Sequence, residues 1–198
     1  MTRARAALAR HAAEMPEQPA VVYVDPHGHW KWRSWRWIHD EVERAAAPAY
    51  DEWRPTVEAL VAVLARETDE MVRGAHPAGA RALDLGERPV VPIVDDPAQA
   101  HGAAWLLWAL EAGAAIVVPG DEAFLAWAIW WPRATDAAVH AHEIGPLREV
   151  LTGFGGRRAQ RRHLARLRRL VVWGESPSYA ERAWWEDLGV PLQEIAIR

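Results

Sequence analysis

AWLLWALEAGAAIVVP, residues 104–119, decides the fold. Its first half is apolar on all sides until Glu111, and Gly113 stops it as a helix-ending glycine does. Ala114, Ala115, Ile116, Val117 and Val118 then make an apolar run of strand length that Pro119 closes. Working outward, residues 99–112 read as a buried helix and residues 90–94 as the strand before it, ending in Asp95-Asp96-Pro97. Two apolar strands around one helix are the signature of a parallel β-α-β unit, whose strands are covered on both faces.

The alternation continues downstream. Asp121 opens a helix that Pro132 stops, followed by a strand over 136–140 and helices over 143–151 and 157–166. A strand over 170–173 precedes Ser178-Tyr179-Ala180-Glu181, a capping box for a helix that ends at Gly189, and residues 192–197 close as a strand. Upstream lie a helix over 2–15 and two strands, 20–24 and 29–32, around the turn Asp25-Pro26-His27-Gly28. Ser34 caps a helix over 35–47, and Val57, Leu60, Val61, Leu64 and Met71 space a helix over 51–74 before a Gly- and Pro-containing loop over 75–87. The expectation is an α/β protein with a largely parallel sheet flanked by helices. An N-terminal lobe (1–87) and a βα-alternating lobe (88–198) would share one domain.

The 198 residues are 51% apolar and 25% charged, a globular profile, and contain no cysteine, which excludes disulfides, thiolate metal sites and a cysteine nucleophile. The longest apolar stretch, 103–119, is broken by Glu111 and Gly113, so no membrane span is expected, and the N-terminus has no apolar signal core. These features place the protein in the cytoplasm by expectation. Lys31 is the only lysine, and 13 tryptophans stand against 2 phenylalanines and 3 tyrosines. Tryptophan is enriched at contact surfaces, so Trp127, Trp130 and Trp131, with Trp184 and Trp185, are the interface candidates; core packing is the plainer alternative.

Two further constellations carry chemistry. In His140-Ala141-His142-Glu143, a His-x-His pair on a strand puts both rings on one face, which suits the lining of a ligand pocket or, more weakly, a metal site with Glu143. The run Arg157 to Arg169 has no acid between residues 150 and 174. A helix there would gather Arg158, Arg161, Arg162 and Arg169 on one side, fit for phosphate or an acidic partner. The formal charge of −4 and the lack of interleaved aromatics argue against nucleic acid. Asp95-Asp96 follows a strand end, where it would cap the next helix or hold a metal or a hydroxyl.

Several segments together resemble the adenylate-forming enzymes, the family of acyl-CoA synthetases and peptide-synthetase adenylation domains. QPAVV (18–22), WKWRSWRWI (30–38) and VERAA (42–46) are similar to that family's front hairpin and first capped helix. Residues 104–119 resemble the helix and strand before its acyl-pocket lobe, and LRRLVVWGE (167–175), AERAWW (180–185) and LGVPLQEI (188–195) resemble the lobe itself. The resemblance implies the fold of part of that family's large N-terminal domain. It implies a pocket for an acyl or aryl group near His140, His142, Trp173, Gly174 and Glu175.

The family's chemistry needs a Gly/Ser/Thr loop ending in lysine to hold ATP phosphates. Within these residues the serines are Ser34, Ser176 and Ser178 alone, and Lys31 lies in the hairpin. The family's adenine and magnesium motif would begin where this sequence reaches Arg198, and the small C-terminal domain has no match. The expectation is therefore a chain that makes no acyl-adenylate by itself and needs no cofactor. It would act as a non-catalytic module in protein binding or complex assembly, with a protein partner or a second copy. The alternatives are one half of a split adenylating enzyme and an acyl- or aryl-binding protein without ATP chemistry. The 51–74 helix, unmatched in the family, would replace the lost nucleotide lobe.

Overall fold

Buried faces set the N-terminal elements. In the computed structural model, α1 (Arg3–Glu14) buries Ala4, Ala7, Leu8 and His11, one helical stripe. β1 (Pro19–Val24) and β2 (Trp30–Ser34) pair antiparallel across a turn where Gly28 takes φ +80°. Asp25 ties that turn, its Oδ1 accepting from the N–H groups of His27 and His29 at 2.9 Å. The Ser34 hydroxyl then accepts from Trp37 N–H and opens α2 (Trp35–Arg44), which buries Trp35, Ile38 and Val42. The structure describes residues 3–25, 27–45, 56–66, 89–94, 96–97, 100–119, 125–130 and 133–195, with the side chains of 100, 101, 127 and 130 left aside. Of the helix expected over 51–74, α3 (Val57–Arg66) falls among them; the rest of it, the loop over 75–87, Asp95 and Asp121 lie outside the described residues.

β3 (Val90–Pro92), α4 (Ala100–Glu111) and β4 (Ala115–Val118) form the β-α-β unit. α4 ends with Gly113 at φ +65°, Gly113 N–H donating to Leu110 O at 3.1 Å and Ala114 N–H to Ala109 O at 2.8 Å. These paired bonds satisfy the last carbonyls and turn the chain into β4. The four-stranded sheet runs β2-β1-β4-β3, parallel except for the hairpin.

After α5 (Leu125–Trp130) come β5 (Asp136–His140), a 3-10 turn (Ala141–Glu143), α6 (Ile144–Gly153), α7 (Arg157–His163), β6 (Arg169–Trp173), α8 (Tyr179–Asp187) and β7 (Leu192–Ile195). β5, β6 and β7 make a second, fully parallel sheet. The two sheets abut where β3 meets the start of β5. Thr135 N–H donates to Val90 O at 2.9 Å, and Val90 N–H donates to Thr135 Oγ1 at 3.0 Å.

Both faces of the second sheet are buried along β5 and β6, as parallel strands require, while β7 at the edge keeps Glu194 exposed. Ala138, Val171, Trp173 and Ile195 face the core shared with α1, α2, α3 and α4; Ala137, Val139, Leu170 and Val172 face the core built with α6 and α8. Trp105 and Trp108 of α4 meet Trp173 of β6 at ring-centroid distances of 6.2 and 5.8 Å, and the Trp105 indole N–H donates to Pro92 O. Tryptophan thus supplies bulk where α4 crosses the sheet junction. The helix expected over 157–166 stops at His163, because Leu164 and Leu167 turn inward to the core before β6. No helix among the described residues is long and apolar enough to cross a membrane.

Candidate binding cleft

β5 and β6 run in register, so their carboxyl ends bring His140 opposite Trp173. Ligands of parallel sheets gather at this edge, where the strands hand over to loops. At His140 the chain enters the 3-10 turn, held by His140 N–H donating to Glu143 Oε2 at 2.8 Å. This turn folds His142 back over its neighbour, and the two imidazoles stack with centroids 5.3 Å apart and planes 29° apart. At Trp173 the chain turns through Gly174 at φ +85°, and a Cβ there would stand 3.8 Å from His140 Nδ1. Ser178 then caps α8, its hydroxyl accepting from Glu181 N–H while its own N–H donates to the Glu181 carboxylate at 2.8 Å.

These segments enclose a cleft of about 600 Å³ lined by His140, His142, Trp173, Gly174, Glu175, Ser176, Ser178 and Glu181 among others. All five ligand-pocket candidates of the sequence therefore surround one space. Ser178, mainly through its hydroxyl, holds the Glu181 carboxyl below its ordinary value. Behind the lining, the Ser176 hydroxyl and then Arg182 do the same for Glu194. The lining combines imidazole, carboxylate and hydroxyl groups against an apolar floor, a set able to orient a small molecule and exchange protons with it. Among the described residues no three His, Asp or Glu side chains converge as metal ligands, and Glu143 is turned to the His140 backbone.

The other sequence candidates fall elsewhere. Trp184 and Trp185 are not surface residues: both are buried in the core of α6, α8 and the second sheet, edge to face at 5.1 Å. The guanidinium carbons of Arg148 and Arg157 stand 5.5 and 5.3 Å from the Trp184 ring, so cations cover its rim. The side chains of Trp127, Trp130 and Trp131 lie outside the described residues. Arg158, Arg161 and Arg162 share α7, all exposed, with Arg161 donating to Asp187 O at 2.8 Å. Arg169 departs from that group because the helix ends first. It opens β6 and its Nε donates to Asp136 Oδ1 at 2.7 Å.

Asp136, which sequence reasoning passed over, is fully buried and also takes Arg168 at 2.6 Å. The signal for it was an acid opening an otherwise apolar strand, DAAVH, upstream of an Arg-Arg pair opening the next one.

No protein-family model and no curated protein matches the sequence. Solved structures do match in shape. The N-terminal domain of FACL13 from Mycobacterium tuberculosis superposes with a TM-score of 0.71 at 9% identity, covering 98% of this chain and 75% of that one. Wild-type E. coli MenE with an analogue of OSB-AMS bound gives 0.66 at 10% identity, over 94% of this chain and 58% of MenE. Acetoacetyl-CoA synthetase from Streptomyces lividans gives 0.66 at 13% identity, over 99% and 51%. The chain thus spans little more than half of the latter two enzymes. It has the fold of part of the N-terminal domain of adenylate-forming enzymes.

Proposed function

We propose that this chain is a binding module on the adenylate-forming fold, holding a small organic molecule in the cleft between His140, His142, Trp173 and Glu181. One observation carries the reading: the cleft lies at the carboxyl edge of parallel strands and gathers two imidazoles, two carboxylates and a tryptophan around about 600 Å³. Among these 198 residues the single lysine is on β2 and no Gly/Ser/Thr loop ends in lysine. Any ATP-dependent step would therefore draw on residues beyond them.

The test is a screen of small aryl and alkyl compounds followed by the imidazole NMR signals of His140 and His142. The reading expects at least one class to shift them saturably, and His142→Ala to remove the response while the melting temperature holds. No saturable shift with any class would defeat it. ATP–pyrophosphate exchange by the chain alone is expected to stay at background.

A second reading, association with another protein, is favoured by Trp32, which is 54% exposed on β2 at the edge of the first sheet. Exposed aromatic rings on an edge strand invite pairing. A partner carrying the phosphate loop would make the pair a split enzyme. Trp32→Ser should then abolish co-purification and reconstituted exchange together; unchanged association would remove Trp32 from the argument.

A further inference from the structure

The cleft's charge narrows what it can hold. Among the described residues its lining includes Glu175 and Glu181 and no arginine or lysine. Glu181 is kept ionised by the Ser178 hydroxyl and backbone N–H, both on its Oε2 at 2.7 and 2.8 Å. The same bonds occupy the start of α8, because Glu181 N–H is turned to Ser178 Oγ at 3.3 Å. Of the amide donors at this helix start, Glu181 N–H is thus met by the Ser178 hydroxyl and Ser178 N–H by the Glu181 carboxylate.

The nearby cations are engaged elsewhere. Arg182 is paired with Glu194 and donates to Pro177 O, and Arg148, whose charge reaches Glu181, lies over the Trp184 ring. A carboxylic acid or a phosphate entering here would meet two like charges and no cation among the described lining residues, a mismatch that solvent screens in part because Glu175 is exposed and Glu181 half-exposed. An ammonium group finds the opposite: two carboxylates to donate to, and an apolar floor of Trp173 and the stacked imidazoles for its organic body.

Resting on the reading of the cleft as a small-molecule site, we infer that its ligand is a small primary amine with an aromatic or apolar body, not the acyl or aryl acid that the resemblance implies.

Benzylamine, benzyl alcohol and benzoate, alike in shape and differing in charge, test this. Each is titrated into the full chain with the imidazole signals of His140 and His142 and the Trp173 indole signal as readout. Benzylamine should saturate them and benzoate should not. Glu175→Gln and Glu181→Gln should each weaken benzylamine by roughly five- to tenfold, the loss of one screened ion pair. The glutamine in Glu181→Gln retains the reciprocal cap, so α8 survives the change. If benzoate saturates the same signals and the glutamine variants tighten it, the ligand class is wrong and the cleft reading stands. If benzyl alcohol binds as well as benzylamine, and the variants change neither, charge does not select and the inference falls alone. If none of the three moves these signals, the inference falls, and the cleft reading falls with it where the wider aryl and alkyl screen is blank as well.

Discussion

His11 illustrates what one residue contributes. It is 6% exposed on α1, with its ring 4.8 Å from that of Trp35 and its Nε2 donating to Leu110 O at 2.9 Å, the tautomer that bond requires. Its Nδ1 finds no hydrogen-bond partner among the described residues. Burial first, and the adjacent Arg10 second, lower its pKa from the ordinary 6.5. The unfolded chain therefore takes up a proton at a pH where the folded chain still resists it. The stability due to the neutral ring is complete above 6.5 and is lost as pH falls from there through the depressed folded value. The melting temperature should drop as pH falls below the ordinary 6.5, and His11→Gln, whose amide can still donate to Leu110 O, should flatten that drop. An equal slope in the variant would assign the effect to another group. Nothing in the local sequence marks this histidine, because what makes it special is a carbonyl 99 positions away.

α8 shows the element scale, since both of its ends are written in local sequence. Ser178 and Glu181 form the cap, and Gly189 at φ +84° closes the helix, with Val190 N–H on Trp185 O at 3.0 Å. Ser178→Ala removes the hydroxyl that accepts from Glu181 N–H and should cost about 1 kcal/mol in urea unfolding. Ser178→Thr should recover most of it, because its hydroxyl can still accept from Glu181 N–H and donate to the Glu181 carboxylate. No loss on the alanine change would mean the cap is solvated rather than structural. Elements with such punctuation were legible in advance: β5 at Asp136–His140, α4 before Gly113 and the β1–β2 hairpin all stand where residue pattern puts them. The end of α7 was not, because a run of arginines continues helical propensity past His163 while the burial of Leu164 and Leu167 bends the chain away. The same difference separates the candidate residues of the cleft. His140, His142, Gly174 and Glu175 sit at strand ends that sequence could locate, whereas the pairing of Trp184 with two guanidinium groups depends on how α6, α7 and α8 pack.

At the scale of the whole molecule, the two sheets are joined beside an ion triad centred on the buried Asp136. Thr135 bonds to Val90 across the junction, and the next residue, Asp136, holds Arg168 and Arg169 at the start of β6. The Asp136–Arg169 register pair begins the same parallel ladder that His140–Trp173 ends at the cleft. Fixing one end fixes the other, since a parallel pair that slips by one residue turns every side chain to the wrong face. Asp136→Ala would leave two guanidinium groups together without their carboxylate, Arg169 mostly buried and Arg168 partly exposed. That should cost about 3 kcal/mol, toward the lower part of the range for breaking a buried pair because Arg168 reaches solvent. The variant should also show broadened His140 and Trp173 NMR signals although neither residue touches the changed one. Unfolding free energy lowered with those signals unchanged would make the triad a local clasp. Both effects together would make it the device that sets the geometry of the cleft from four residues away, through the ladder between β5 and β6.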